Sequence, residues 1–291
     1  VRVPMDLTRL SHSLLEPSGG YAVVEVHEHL TSTNTRAAEL GLPYAVVLAE
    51  QQSGGRGRLD RRWESPAMAG ITMSVTFPLD ADLSSQAGWL PLVTGLVVAE
   101  AISEVTGVAA TLKWPNDVLL PADDDRKVCG VLCEIVPMKP SVENALGGPS
   151  RPLVPVVPLV VVGIGLNVDQ RRAELPVTTG TSLRLACGEE LSAMRVDLVE
   201  AIARGLLDRL ARVRAGGTAA EAVRAAYRSR CVTVGSESTV SLPGGVVIRG
   251  RVTDITVDGE LVLHTAHGVK TLSAGDVTHV RPGDPTGRGL A

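Results

Sequence analysis

The sequence predicts an α/β protein, with a mixed sheet and flanking helices over residues 1–230 and a small antiparallel barrel over residues 231–291. Three observations carry that prediction. Extended apolar runs of strand length alternate with helical patterns through the first part of the chain. Hydrophobic residues make up 44% and aromatic ones only 2%, so the interior must be assembled mainly from Val, Leu, Ile and Ala. From Val232 onward, short Val-rich segments punctuated by "PGG", "DG" and "HG" turns replace the helical pattern. A length of 291 residues likewise favours one large domain plus a smaller one.

Taken in order, Tyr21–Leu30 reads as the first strand, and "TSTN" then opens a helix because Thr31, Ser32 and Thr33 are good N-cap types. "YAVVLAEQQ" is a second strand and feeds directly into "GGRGRLDRRWESP", Gly54 to Pro66, which reads as a flexible cationic loop. "GITMSVTFPL" alternates as a strand should, and "WLPLVTGLVVAEAISEVTG" reads as a mostly buried helix ended by Gly107. "TLKWPNDVLL", "KVCGVLCEIV" and "LVVVGIGLNV" read as three more strands, with Pro137–Pro158 as a long connection between the last two. Residues 192–213 carry Val199, Ile202, Ala203, Leu206, Leu207 and Leu210 at helical spacing. Glu200, Arg204, Asp208 and Arg212 run down the opposite face. A second helix covers Ala219–Arg230.

Composition narrows the function classes. Twenty-eight basic residues against 32 acidic ones, with a pI near 5.9, create no global field for DNA, RNA or an anionic membrane, so any cationic function is local. The few aromatics argue against stacking on single strands. Cys129, Cys133, Cys187 and Cys231 form no disulfide framework, and no Cys or His pair near the first two completes a zinc site, which points to buried thiols in a reducing cytoplasm. The N-terminal residues show no export signal.

Four stretches carry chemistry. Glycine lets backbone amides approach a ligand and arginine forks match phosphate or carboxylate oxygens, so "GRGR" suits an anion; a solvated surface loop is the alternative. No Gly-Lys-Ser/Thr follows and no G-x-G-x-x-G is present, so neither a Walker loop nor a dinucleotide fingerprint is involved. In "LKWPNDVLL", Pro115 suggests a bend or an edge, and Asn116 and Asp117 a ligand or a tight turn. "RKVCGVLCE" sets Lys127 before a buried strand. In "GIGLN", Gly163 and Gly165 suggest close backbone approach before Asn167.

In this order, "TSTN", "AEQQSGGRGRLDRRWESP", "LKWPNDVLL", "KVCGVLCE" and "VGIGLNV", with the C-terminal "GELVLHTAHGVKTLSAGDVTHVR", resemble the biotin protein ligases over about Tyr21 to Arg281. The resemblance implies a catalytic domain like those of class II aminoacyl-tRNA synthetases and lipoate ligases, with an SH3-like C-terminal barrel. It implies condensation of biotin with ATP to biotinyl-5′-AMP, then transfer to one lysine of a biotin carboxyl carrier domain of an acyl-CoA carboxylase. It puts Ser32, Thr33, Asn34, Gln52, Gly55, Arg56, Gly57, Arg58, Trp63 and Lys127 at biotin. Arg58, Arg61, Arg62, Lys113, Asn116, Asp117 and Asn167 fall at ATP, with Lys127 and Arg58 catalytic and Asp117 helping to hold Mg²⁺ brought by the nucleotide. No tightly bound metal is expected. The loop would close over the adenylate, and Arg281 could reach back to the nucleotide. Where the family commonly has "GRGRRGR" this chain has "GRGRLDR", which sets Asp60 beside the arginines. About 20 residues precede the first strand, too few for the DNA-binding domain of repressor relatives, so neither DNA binding nor repression is expected. A lipoate or octanoate ligase and a non-catalytic biotin-binding regulator are the alternatives.

Overall fold

A computed structural model describes residues 2–137 and 157–279 of the chain. Residues 138–156, the side chain of Asp60, and residues 280–291 with Arg281 lie outside the described residues, so the expectations for Asp60, Arg281 and most of the Pro137–Pro158 connection are not addressed by it.

One seven-stranded sheet organises the first part, in the order β1-β2-β5-β9-β8-β7-β6. Its strands are β1 (Val23–Leu30), β2 (Ala45–Gln52), β5 (Gly70–Pro78), β6 (Thr111–Lys113), β7 (Asp117–Leu120), β8 (Arg126–Val136) and β9 (Leu159–Asn167). Only β1 and β2 run parallel, because α2 (Thr33–Leu40) crosses over between them; the remaining neighbours are antiparallel. Ser32 caps α2 and Gly41 ends it at φ 62°.

Between β6 and β7 the chain departs from the expected single strand. Residues 111–120 form a hairpin that turns at Trp114–Pro115–Asn116, with a cis Trp114–Pro115 bond. Proline has no N–H to give a ladder, so the strand divides there. The cationic segment is also more ordered than expected: β3 (Gly55–Arg56) and β4 (Arg62–Trp63) pair across a 3₁₀ turn at Arg58–Asp60.

Helix α4 (Leu90–Thr106) is mostly apolar and, with the turn before it, long enough to cross a membrane by length and composition. Its place in the layers accounts for that. One side lies on β6–β9 and the other against α6 (Arg195–Ala215) and α7 (Gly217–Arg230). α1 (Leu7–Leu14) lies on α6, while α3 (Ala81–Ser84) and α5 (Leu183–Cys187) are single-turn connections. Helix α6 starts and ends slightly later than the residues 192–213 expected. Glu200, expected on its solvated face, is 7% exposed and takes the Arg9 guanidinium at 2.8 Å. Arg195, 1% exposed, pairs with Glu50 at 2.5 Å and donates to the Gly70 carbonyl, tying the head of α6 to the ends of β2 and β5. Breaking one side of such a buried pair costs about 3–5 kcal/mol.

After α7, β10 (Glu237–Ser241), β11 (Val247–Ile255), β12 (Leu261–Thr265), β13 (Gly268–Leu272) and β14 (Asp276–His279) form an all-antiparallel sheet in the order β13-β12-β11-β10-β14. Two of the three tryptophans fasten it to the first sheet. The indole N–H of Trp89 donates to the Val257 carbonyl at 2.9 Å and that of Trp114 to the Gly259 carbonyl at 3.0 Å. Tyr227, 5.8 Å from Trp89 edge to face, and the guanidinium of Arg224 complete the cage around that ring.

Thr233 Oγ1 accepts from the Trp114 backbone N–H at 3.1 Å and lies 3.2 Å from His279 Nε2, so the hydroxyl proton is free to go to a neutral imidazole. Burial, reinforced by Lys113 and opposed by Asp125, pushes the His279 pKa from 6.5 down to about 4. Below pH 6.5 the unfolded chain takes up a proton that the folded chain refuses until about 4, so acid removes stability across that window. His279→Gln is expected to flatten the acid limb by up to one proton, read from urea midpoints between those two pH values; an unchanged slope would refute this.

Candidate functional site

Strand register builds the floor of the site. Ala49 of β2, Thr72 of β5, Gly165 of β9, Gly130 of β8, Asp117 of β7 and Lys113 of β6 stand side by side in one row across the sheet. Residues in such a row share a face. The middle of the row is therefore bare backbone, flanked on one side by an acid and a lysine. One row along, Ser74, Gly163 and Leu132 repeat the gap.

Both gaps are filled from above. The ring of Trp63, at the end of β4, lies on Gly165, where a Cβ would stand 2.3 Å from it. The side chain of Asn34, in the first turn of α2, lies on Gly163, where a Cβ would stand 2.2 Å from its Oδ1. Any side chain at either glycine would expel its neighbour, the close approach foreseen for both positions.

Lys127 reaches this floor through a β-bulge. Val118 pairs with Cys129 and Leu119 with Lys127, so Val128 is the extra residue. Val128 and Cys129 both turn into the core, and Lys127 comes to the same face as Gly130. Its ammonium lies 2.6 Å from Asp117 Oδ1 and 5.9 Å from the Trp63 ring centre. The backbone of Lys127 is bonded in turn to Thr179 and Thr181, so residues 175–180 stand as a wall beside it.

A cavity of about 960 Å³ opens over the floor. Ser32, Thr33, Asn34, Gln52, Arg56, Gly57, Arg58, Arg61, Arg62, Trp63, Lys113, Asn116, Asp117, Lys127 and Asn167 all line it. Of the residues singled out in the sequence, Gly55 does not. It is buried in the β3–β4 hairpin, where a Cβ would stand 2.3 Å from the Trp63 carbonyl oxygen, so it serves the turn of the chain. Neutral groups gather at the α2 end: Gln52 Oε1 accepts the Thr33 backbone N–H at 2.7 Å. Arg56 also stands near this end, paired with Glu134, while the other cations gather toward the opposite end, where burial lowers the pKa of Lys113, with Asp117 opposing. Asn167 is pinned at the far edge, donating to the Thr181 carbonyl at 2.9 Å and accepting from Gln170 at 3.0 Å.

Comparison with known proteins agrees with this geometry. Residues 26–147 match the Biotin/lipoate A/B protein ligase family, and residues 233–280 match the Biotin protein ligase C terminal domain. A biotin--[acetyl-CoA-carboxylase] ligase of Mycobacterium tuberculosis is 33% identical over 97% of this chain and 98% of its own length. The chain belongs to the biotin protein ligase family. A second such ligase, from Paracoccus denitrificans, is 30% identical over 84% of this chain and 96% of its own. Among solved structures, the biotin protein ligase from Aquifex aeolicus in complex with biotin and ATP superposes with a TM-score of 0.70. It is 25% identical and covers 90% of this chain and 100% of that one.

Within this family fold, the site also contains residues that sequence reasoning passed over. Strand β14 of the C-terminal sheet supplies Asp276, Val277, Thr278 and His279 to the cavity. Asp276 is ion-paired with Arg61 and lies 3.9 Å from Arg58, and Arg58 also donates to the Asn116 side chain at 3.2 Å. The hairpin is thus held by both sheets. Asp117, expected to help hold Mg²⁺ brought by the nucleotide, is paired with Lys127, and its other row neighbour is Lys113. Among the described residues no group of three or more His, Cys, Asp or Glu side chains could hold a metal ion. Cys129 is a core thiol and Cys133, partly buried, packs against the core; burial pushes the pKa of Cys133 up to about 12.

Trp89 and Trp114 are 0% and 2% exposed, which makes Trp63 the tryptophan that a soluble quencher reaches. Gly165→Ala should lift Trp63 from the floor and raise acrylamide quenching, with stability within about 1 kcal/mol of the parent because the strand itself accepts alanine. Unaltered quenching would show that the ring does not rest on Gly165.

Proposed function

We propose that this chain is an ATP-dependent biotin–protein ligase with its domain boundary at Arg230. It joins the biotin carboxylate to the α-phosphate of ATP, releasing pyrophosphate, and passes the biotinyl group to a lysine of a biotin carboxyl carrier domain. The observation that carries the reading is the polarity of the cavity. Neutral donors and acceptors from Ser32, Thr33, Asn34 and Gln52 suit a urea at one end, while Arg58, Arg61, Arg62, Lys113 and Lys127 suit phosphates at the other. Family membership over nearly the whole chain supports the same reaction.

The chemistry asks two anions to approach. Biotin takes the place of the Trp63 ring over Gly165 and Gly130, with the ring lifted against its apolar body and Arg56 and Gly57 at its side. Lys127, held over the floor by Asp117, stands where the carboxylate and the α-phosphate meet and offsets their repulsion; Arg58 adds a second cation as charge develops on the phosphoryl oxygens. Asn116, Asp117 and Asn167 border the nucleotide. The hairpin and residues 175–180 exclude water from the mixed anhydride. In the second step the acceptor amine attacks the biotinyl carbonyl, the C–N bond forms, the C–O bond to phosphate breaks, and AMP leaves as the amine loses a proton. No side-chain nucleophile takes part. The proposal includes Mg²⁺ arriving with ATP, an acyl-CoA carboxylase as the source of the carrier, a cytoplasmic location, and no role on DNA.

The test is exchange of labelled pyrophosphate into ATP, with biotin, lipoate and octanoate as alternative acids and no carrier present. Exchange with biotin alone is expected; exchange with lipoate or octanoate instead would replace the substrate, and none at all would favour a binding protein. Lys127→Ala should lower biotin-dependent exchange by roughly 10²–10³-fold without unfolding the chain, and undiminished exchange would remove Lys127 from the reaction.

A further inference from the structure

Behind the neutral end of the cavity, the groups that face the urea are backed by polar contacts to two residues outside the lining, Ser74 and Glu134. Glu134, on β8, is outside the cavity wall, with its side chain 30% exposed. Its Oε2 accepts from Asn34 Nδ2 at 2.6 Å, and the carboxylate also takes the Arg56 guanidinium at 3.2 Å. Asn34 Nδ2 has a second acceptor, the Leu132 carbonyl at 3.4 Å. An ionised carboxylate and a carbonyl only accept, so the amide nitrogen of Asn34 must face them and its oxygen must face away.

The consequence travels inward. Ser74, 0% exposed, has its Oγ 2.6 Å from Asn34 Oδ1 and 2.7 Å from Thr33 Oγ1. A hydroxyl has one proton, and Asn34 Oδ1 has none, so the Ser74 proton goes to Asn34. Thr33 then donates its own proton to Ser74 at 2.7 Å in preference to Gln52 Oε1 at 3.2 Å. What remains on the cavity side is a Thr33 oxygen able to accept and, because Gln52 Oε1 is taken by the Thr33 backbone N–H, a Gln52 amide nitrogen able to donate. An acceptor beside a donor is the complement of a urea edge, with its N–H and its C=O, and offers nothing to a dithiolane or an alkyl tail.

We infer that Glu134 is the positioning residue that sets the donor–acceptor polarity of the urea end of the site, acting through Asn34, Ser74 and Thr33. The inference rests on the ligase reading above. It makes Glu134 a determinant of which acid is activated, although the carboxylate does not touch the cavity.

Biotin-dependent pyrophosphate exchange tests it, with the KM for biotin, the KM for ATP and kcat measured separately and folding checked by circular dichroism. Glu134→Ala should raise the KM for biotin by roughly tenfold to a hundredfold, the loss of a charge-assisted hydrogen bond, with the KM for ATP and kcat within about threefold. Glu134→Gln keeps an oxygen for Asn34 and should stay within about threefold of the parent on all three. Asn34→Asp sets two carboxylates together and should fail at least as badly as Glu134→Ala. Combining Asn34→Asp with Glu134→Gln reverses the pair while leaving an oxygen toward Ser74, and should recover most of the biotin KM. Three results would overturn the inference: a parental biotin KM in Glu134→Ala, a loss confined to kcat, or a double variant no better than Asn34→Asp. A parent protein inactive with biotin would overturn the ligase reading as well, whereas an active parent with any of those three results removes this inference alone.

Discussion

Everything in the site depends on one constraint, the absence of side chains along the middle of the sheet. Gly130 and Gly165 stand opposite each other on β8 and β9, with Gly163 one row away. Backbone alone is exposed there, so groups above the sheet come within van der Waals reach of it. The indole of Trp63 and the amide of Asn34 do so now. A flat, hydrogen-bonded floor of this kind is stiff, and it is built from strands whose other face is the main hydrophobic core. Position is therefore inherited from the packing of Val, Leu and Ile beneath, and the polar groups at the rim need only be aimed.

Aiming is done by local departures from regular structure. The bulge at Val128 brings Lys127 onto the floor and the β6–β7 hairpin sets Asp117 2.6 Å from its ammonium. The cap of α2 presents Ser32, Thr33 and Asn34 as a group. The C-terminal sheet contributes through Asp276, which holds Arg61 and lies near Arg58, so the cationic hairpin is fixed by a strand more than 200 residues away in sequence. That sheet is itself held by the indoles of Trp89 and Trp114 on a single turn, which links the seam between the sheets to the shape of the cavity.

Much of this was legible in the chain. Strand and helix order followed from apolar periodicity, and Gly163 and Gly165 marked close approach because glycine in a buried strand has little other use. Pro115 announced a bend, though not that the bend was a complete hairpin. Long-range pairing was illegible: nothing near Lys127 names Asp117 as its partner, and nothing near Arg61 names Asp276, since both contacts depend on register. Glu134 and Ser74 were passed over because their work is indirect. The one signal for the bulge was "VC" between Lys127 and Gly130, two consecutive core residues where alternation calls for one.

The central claim is that the bare floor is where the reacting acid lies. A structure of the protein with biotinyl-5′-AMP bound tests it most directly. The account predicts the biotinyl group over Gly165 and Gly130, in the place the Trp63 ring now takes, with that ring lifted onto its outer face, the urea at Thr33 and Gln52 and the phosphate at Lys127. A ligand seated elsewhere in the cavity, leaving the glycines covered by Trp63 alone and Lys127 paired only with Asp117, would contradict it.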